Sequence, residues 1–459
     1  MSETAARPVR IAVVGHTNTG KTSLLRTLTR DTGFGEVSSR PSTTRHVEGA
    51  RLIAAGEVLV ELYDTPGLED PIALLETVEA LTAPDGGRLD APARIARFLE
   101  TPAATARFEQ EAKVLRQLLA SDAGLYVIDA RDPLLAKHRD ELSLLGGCAV
   151  PLLPVLNFVR EPGADERGWR EALARLGLHA VVRFDTVAPE RDGESRLYTA
   201  LATLLDAHRP TLERLIASRE REAAARRAAA LRLIAELLID VAACRRAVPA
   251  GSADGLTAAV SDLNARVRAR EQACVEALLV LYRFSPDAVD ADRLPLMDGR
   301  WEDDLFHPET LRRLGVKVGG GAAAGAAAGV GIDLMVGGIT LGAAAVLGAL
   351  LGGGWQALRQ LRSRLLGKLT GQVELSVNDA ILRLLALRQL HLLQALESRG
   401  HAALVPIRQL AADADALRNA ALPEALRRSR AHPDWSGLYG GVPASGAREA
   451  AIEALAAGL

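Results

Sequence analysis

At 459 residues the chain exceeds one ordinary hydrophobic core and implies two or three domains. A formal net charge of −2 argues against a protein that coats nucleic acid, because phosphate binding normally leaves a basic excess, so nucleic acid is not an expected partner. The three cysteines, Cys148, Cys244 and Cys274, form no CxxC pair, which fits a reducing cytosol and gives no structural zinc pattern.

The N-terminus lacks the long apolar run of a secretory signal. "VRIAVV" (9–14) predicts a buried strand, closed by Gly15, and a helix is expected from Lys21 to about Arg30. Between them "GHTNTGKT" (15–22) fits G-x-x-x-x-G-K-[ST] in its required strand–loop–helix setting. The chemistry accounts for each part. Gly15, His16, Thr17, Asn18, Thr19 and Gly20 form a loop whose N–H groups face a β-phosphate, with Lys21, Thr22 and Ser23 opening the helix at its positive end. Lys21 supplies a point charge to β and γ oxygens, and the Thr22 hydroxyl is a ligand for Mg²⁺.

Residues 47–63 hold two strand-like runs around "AAGE", a hairpin ending at "LYDTPG" (62–67). Asp64 there is the expected carboxylate behind Mg²⁺, and Gly67 a backbone donor to the γ-phosphate whose loss on hydrolysis makes the next loop a switch. A mostly helical insertion fills about 68–122. Strands are expected in "GLYVIDA" (124–130), "AVPLLPVL" (149–156) and "HAVVRFDTV" (179–187), alternating with helices. This pattern predicts an α/β P-loop NTPase domain over 1–208, a mostly parallel sheet with helices on both faces.

Where a GTPase spells Asn-Lys-x-Asp, this chain has "LNFVRE" (156–161). Arg160 has only donors and cannot accept the two hydrogens of the guanine edge. Asn157 remains to brace the phosphate loop and meet the purine, Phe158 to stack on the base, and Asp185 is one of three carboxylates, with Glu161 and Asp165, that could take over the missing role. Guanine is favoured because the other motifs come as a GTPase set. A pocket of relaxed or adenine specificity is the alternative.

"GHTNTGKTS" with "PSTTRH" (41–46) and "LYDTPGL" resembles the TrmE/Era/Der group of bacterial GTPases over about residues 8–208. The resemblance implies GTP and GDP as ligands, Thr44 as a second Mg²⁺ contact, and a K⁺ ion held by Asn18 in place of an arginine finger. Leu68 stands where Ras-like enzymes have a water-orienting glutamine, again as in the group. Lys21, Thr44 and Gly67 would then carry hydrolysis, slow when unaided. The chain as a whole resembles bacterial proteins that fuse such a GTPase to a C-terminal helical domain of unknown function.

Residues 209–459 read as all-α, with helices over 212–246, 255–283, 356–398 and 404–428. Within them 318–353, Ala- and Gly-rich, carries a single charge, Asp333. Glycines at 321, 325 and 329 give a small-xxx-small face. As one helix it would be about 54 Å long, too long for one crossing of a ~30 Å bilayer core. Basic residues on both flanks favour a re-entrant helical hairpin with both ends cytoplasmic. A soluble Ala/Gly hairpin is the alternative. The resulting expectation is a cytoplasmic GTP-driven switch, attached peripherally or re-entrantly at the inner membrane, acting on an unidentified protein effector and pairing through its GTPase domain. The competing classes are a ribosome-assembly factor and a nucleotide-binding scaffold without turnover.

Overall fold

A computed structural model describes residues 7–29, 47–83, 87–186, 190, 192–249, 253–283, 301, 305–306, 332–336, 339–342, 372–397, 422–441 and 445–459. The chain divides into two compact units, Met1–Ala223 and Ala224–Leu459.

The first unit is built on a six-stranded sheet of order β2-β3-β1-β4-β5-β6. β1 (Val9–Val14) lies between β3 (Glu57–Asp64) and β4 (Ala123–Asp129), parallel to both. β5 (Leu152–Asn157) and β6 (Val182–Arg183) continue the parallel order, and β2 (Glu48–Ala54) returns antiparallel as the hairpin partner of β3. Ala55 at φ 51° and Gly56 at φ 82° make the tight turn between β2 and β3. The strand expected over 179–187 shrinks to two residues, and Phe184 leaves it to pack into the core.

Alternation along the strands sorts residues onto two apolar faces. Ile11, Val13, Leu125, Val127 and Val155 face one way, against α1 (Lys21–Thr29) and α7 (Gly193–Leu204). Ala12, Val14, Tyr126, Ile128 and Leu156 face the other, under α2 (Pro71–Glu79), α3 (Ala91–Leu99), α4 (Glu109–Leu119), α5 (Ala136–Gly146) and α6 (Glu166–Arg175). α2, α3 and α4 occupy the stretch between Gly67 and β4. Asp70 and Asp90 start the first two by accepting from Ala73 and Ala93 amides, each followed by a proline in the first turn. Because every parallel strand ends at the same edge, Gly15, Asp64 and Asn157 arrive there together.

The second unit is largely helical but not all-α, which corrects the sequence reading. α8 (Arg209–Ala243), which begins in the first unit, and α9 (Ala253–Leu281) are long. They are followed by α10 (Asp379–Glu397), α11 (Glu424–Ser429) and α12 (Gly446–Gly458). Four strands form an antiparallel sheet of order β7-β10-β8-β9: β7 (Arg245–Pro249), β8 (Ile332–Val336), β9 (Ile339–Gly342) and β10 (Gln372–Val377). The helix expected over 212–246 therefore gives up its last residues to β7, and the one expected over 356–398 is interrupted by β10 at 372–377. In β10, Val373, Leu375 and Val377 alternate with Gln372, Glu374 and Ser376, a period of two that Leu- and Arg-rich neighbours masked. Within the apolar segment, residues 332–336 and 339–342 are paired strands and not a helical hairpin. Short runs with β-branched residues flanking a Gly-Gly pair carry a hairpin pattern that Ala-rich surroundings obscured. Residues 318–331, 337–338 and 343–353, with their glycine spacing, lie outside the described residues, as do 356–371, 398 and 404–421 of the expected helices. Among the described residues no helix is long and apolar enough to cross a membrane.

This unit has its own core, in which Leu238, Leu263, Leu278, Leu375, Ile381, Leu385, Trp435 and Ile452 are buried. Asp240 of α8, 5% exposed, is a polar tie within it. It accepts from Arg270 Nε at 2.7 Å and Arg448 Nη2 at 2.8 Å, joining α8, α9 and α12. Removing one partner of such a pair strands the other charges. Asp240→Ala is therefore expected to cost about 3–5 kcal/mol, read as a lower unfolding midpoint of the C-terminal transition in urea.

Candidate nucleotide site

The phosphate loop is shaped by what its glycines touch. A Cβ on Gly15 (φ 140°) would lie 2.5 Å from the Val127 carbonyl oxygen, and one on Gly20 (φ 91°) 2.3 Å from Asn157 Nδ2. Gly67 packs so closely that a Cβ there would meet the Thr17 backbone at 2.8 Å. The loop's first turn also pairs in parallel with the segment after Gly67, through His16 and Leu68. The "GHTNTGKT" and "DTPG" motifs are thus in direct contact. Glu111 of α4, 5% exposed, accepts from the Glu69 and Asp70 amides at 3.3 Å and ties the same segment to the inserted helices.

Lys21, 7% exposed, donates to the carbonyls of Gly15 at 3.1 Å and His16 at 2.7 Å. Burial pulls its ammonium down to about 8, against the opposing attraction of Asp64 and Glu141. Thr22 Oγ1 donates to Asp64 Oδ2 at 2.5 Å. The other carboxylate oxygen, Asp64 Oδ1, is buried with no hydrogen-bond partner. Burial raises the Asp64 carboxyl above its ordinary value, with the Thr22 hydroxyl and Lys21 resisting. An orphaned buried oxygen next to a threonine hydroxyl is a donor set suited to a hard cation such as Mg²⁺. No group of three His, Cys, Asp or Glu side chains forms a metal cluster among the described residues. Mg²⁺ beside nucleotide needs none, since phosphates and waters fill its octahedron.

Thr19 is buried, Ser23 is half-buried in the first turn of α1, and Asn18 is exposed at φ 64° on the rim of the loop. Thr44, the expected second Mg²⁺ contact, lies outside the described residues.

At the base end, Asn157 is fully buried. Its Nδ2 donates to the Thr19 carbonyl at 2.9 Å, while Oδ1 accepts from the Phe158 amide at 2.9 Å and the Thr186 amide at 2.8 Å. Phe158, at φ 55°, presents its ring to the Arg131 guanidinium 4.1 Å away. Arg131 is held by a fork onto Asp129, at 2.9 Å and 2.7 Å. Asp185, 5% exposed, accepts from the Arg160 amide at 3.3 Å. Asp165 is occupied in starting α6, accepting from the Gly168 amide at 2.8 Å.

One cluster behind the loop had no signal in the sequence. Glu141 of α5 is fully buried, accepting from His16 Nδ1 at 2.6 Å and Tyr126 Oη at 2.7 Å. Lys137 Nζ lies 2.9 Å from His16 Nε2. Burial, then the Glu141 charge, raises the Tyr126 hydroxyl far above its usual range. "AKHRDEL" on α5 reads as an ordinary solvated helix turn until tertiary packing places it behind the loop.

Two stretches of the chain match known families. Residues 10–157 match the model described as 50S ribosome-binding GTPase, and residues 170–457 match the domain of unknown function DUF3482. No curated protein matches the chain. Similar solved structures include an Aquifex aeolicus Era variant bound to GDP.AlF4-, at 17% identity and TM-score 0.30 over 44% of this chain and 57% of that one. An S. thermophilus NFeoB variant bound to GMPPNP aligns at 20% identity and TM-score 0.29, over 42% and 62%. The G domain of the T. maritima FeoB iron transporter aligns at 18% and 0.25, over 43% and 98%. The chain thus spans little more than half the length of the Era protein it matches. The N-terminal domain is a P-loop GTPase, a nucleoside-triphosphate hydrolase for which guanine nucleotide and Mg²⁺ are the implied ligands. The chain belongs to the DUF3482 family, its C-terminal domain preceded by a domain that matches the 50S ribosome-binding GTPase model.

Proposed function

We propose that the chain is a slow GTP-hydrolysing switch whose nucleotide state is passed to the helical C-terminal unit. The observation that carries this reading is the Thr22–Asp64 contact with its orphaned Asp64 oxygen, set beside the buried Lys21. In this reading Gly15, His16, Thr17, Asn18, Thr19 and Gly20 wrap the phosphates. Lys21 exchanges its two loop carbonyls for β and γ oxygens. Thr22, Thr44 and Asp64 hold Mg²⁺, which when bound neutralises charge developing on the phosphates. Gly67 donates its amide to the γ-phosphate, and its contact with Thr17 makes it sensitive to that phosphate's loss. Water forms the new oxygen–phosphorus bond as the β–γ bridge breaks, releasing GDP and phosphate. With Leu68 unable to orient water, Asn18 is proposed to hold a K⁺ ion that stimulates turnover. Phe158 stacks on the base beside Asn157 and Asp185. Functional domain limits of 1–208 and 209–459, pairing of two GTPase domains and an unidentified protein effector belong to the same proposal.

Full-length protein is expected to bind fluorescent GDP at least tenfold more tightly than ADP, and to hydrolyse GTP roughly tenfold faster in K⁺ than in Na⁺. Preferential ADP binding overturns the GTPase assignment. Equal rates in the two salts remove K⁺ and Asn18 alone. Gly20→Ala must displace the Asn157 amide, and is expected to weaken GDP binding about 10- to 100-fold in the same titration.

The apolar segment is proposed to bring the second unit to a membrane surface. Full-length protein should then sediment with phospholipid vesicles to a different extent in GDP and in a non-hydrolysable GTP analogue. Equal recovery in the supernatant in both states removes this part. The description of the GTPase family favours a second reading, association with the large ribosomal subunit. Nucleotide-dependent cosedimentation with ribosomes, without vesicle binding, would select it.

A further inference from the structure

The chain carries an arginine where the guanine-reading carboxylate belongs, and the geometry around it offers a replacement. The Arg160 guanidinium is drawn to Glu190, with Nη2 3.7 Å from Oε1. Glu190 also pairs with Arg183 and Arg196, so this cation belongs to a surface ion network. The Arg160 main chain does something different: its N–H donates to Asp185 Oδ2 at 3.3 Å. A carboxylate from the loop after β6 is therefore held against the backbone of the position that lost its own.

Two further constraints place Asp185 at the base end of the site. Its neighbour Phe184 is buried in the core and donates its amide to the Leu156 carbonyl at 2.9 Å, extending the β5–β6 pairing. Its other neighbour, Thr186, donates to Asn157 Oδ1, and the same amide group reaches the phosphate loop at Thr19. Asp185 is thus fixed from both sides relative to the phosphates. Phe158 stands between, its Cζ 3.4 Å from where a Gly20 Cβ would be and its ring against the clamped Arg131.

We infer that Asp185 is the base-specificity residue: its carboxylate accepts the N1–H and the 2-amino hydrogen of guanine, and the Arg160 backbone N–H orients it. This rests on the GTP-binding reading and deepens it. A carboxylate has about four lone-pair positions, enough for a main-chain donor and a base edge together. Adenine presents a lone pair at N1 and is repelled. Xanthine, with a carbonyl in place of the 2-amino group, is repelled as well, but an amide at position 185 would donate to that carbonyl.

The test is competition binding of GDP, IDP, ADP and XDP to the full chain. Wild type should prefer GDP to XDP by roughly 100-fold or more, and to IDP, which lacks the 2-amino group, by about tenfold. In Asp185→Asn the GDP–XDP order should reverse. Asp185→Ser, a second variant for the case that the first does not fold, should bring GDP and IDP level. Reversal in Asp185→Asn, or levelling in Asp185→Ser, supports the assignment. An unchanged preference, or equal loss of all bases, overturns it. A wild type that prefers GDP with an insensitive position 185 brings down only this inference, whereas a wild type that prefers ADP brings down the GTPase reading itself.

Discussion

The buried side-chain amide of Asn157 is the interaction on which the site depends. It joins three chain segments that are far apart in sequence: the phosphate loop at Thr19, its own β5 loop at Phe158, and the β6 loop at Thr186. A buried amide left partly unpaired costs about as much as the hydrogen bonds it makes. Loop, base platform and Asp185 therefore keep their relative places together or not at all. The glycines obey the same constraint. Gly20 is required because the Asn157 amide occupies the space a side chain would need.

The opposite flank of the loop is held by charge. Fully buried Glu141 meets His16 and Tyr126 behind the loop, while Lys21 and Asp64 lie in front. Burying these groups without a compensating ligand is costly. The pull-down of the Lys21 ammonium and the raised Asp64 carboxyl record that cost. A triphosphate and a divalent ion would complement both groups. The inserted helices take part as well, since Glu111 of α4 holds the amides of Glu69 and Asp70 just after Gly67.

The GTPase half was legible because its motifs are local. A strand, a glycine loop and a helix opening at Lys21 follow one another within about twenty residues, and the hairpin before Asp64 is announced by its turn. The partners of those motifs were not legible. Nothing in the spacing ties Glu141 to His16, Arg131 to Phe158, or the Arg160 amide to Asp185, because each contact is made by sheet order. In the second unit, composition misled. Helix-favouring Ala, Leu and Arg outweighed short period-two runs, and strands such as Gln372–Val377 are stabilised by their pairing with Arg245–Pro249 and Ile332–Val336 more than by local preference.

The sequence by itself determined the strand–loop–helix frame of the phosphate-loop motif and the hairpin that ends at Asp64. Gly15, Lys21, Thr22 and Asp64 lie in stretches whose geometry is dictated by a few neighbouring dihedrals. Tertiary structure alone decided how the base end is organised. The Arg160 amide and the Asp185 carboxylate, 25 residues apart, meet only because β5 and β6 lie side by side. Parallel pairing brings the ends of distant strands to one edge, and no local pattern can express that proximity.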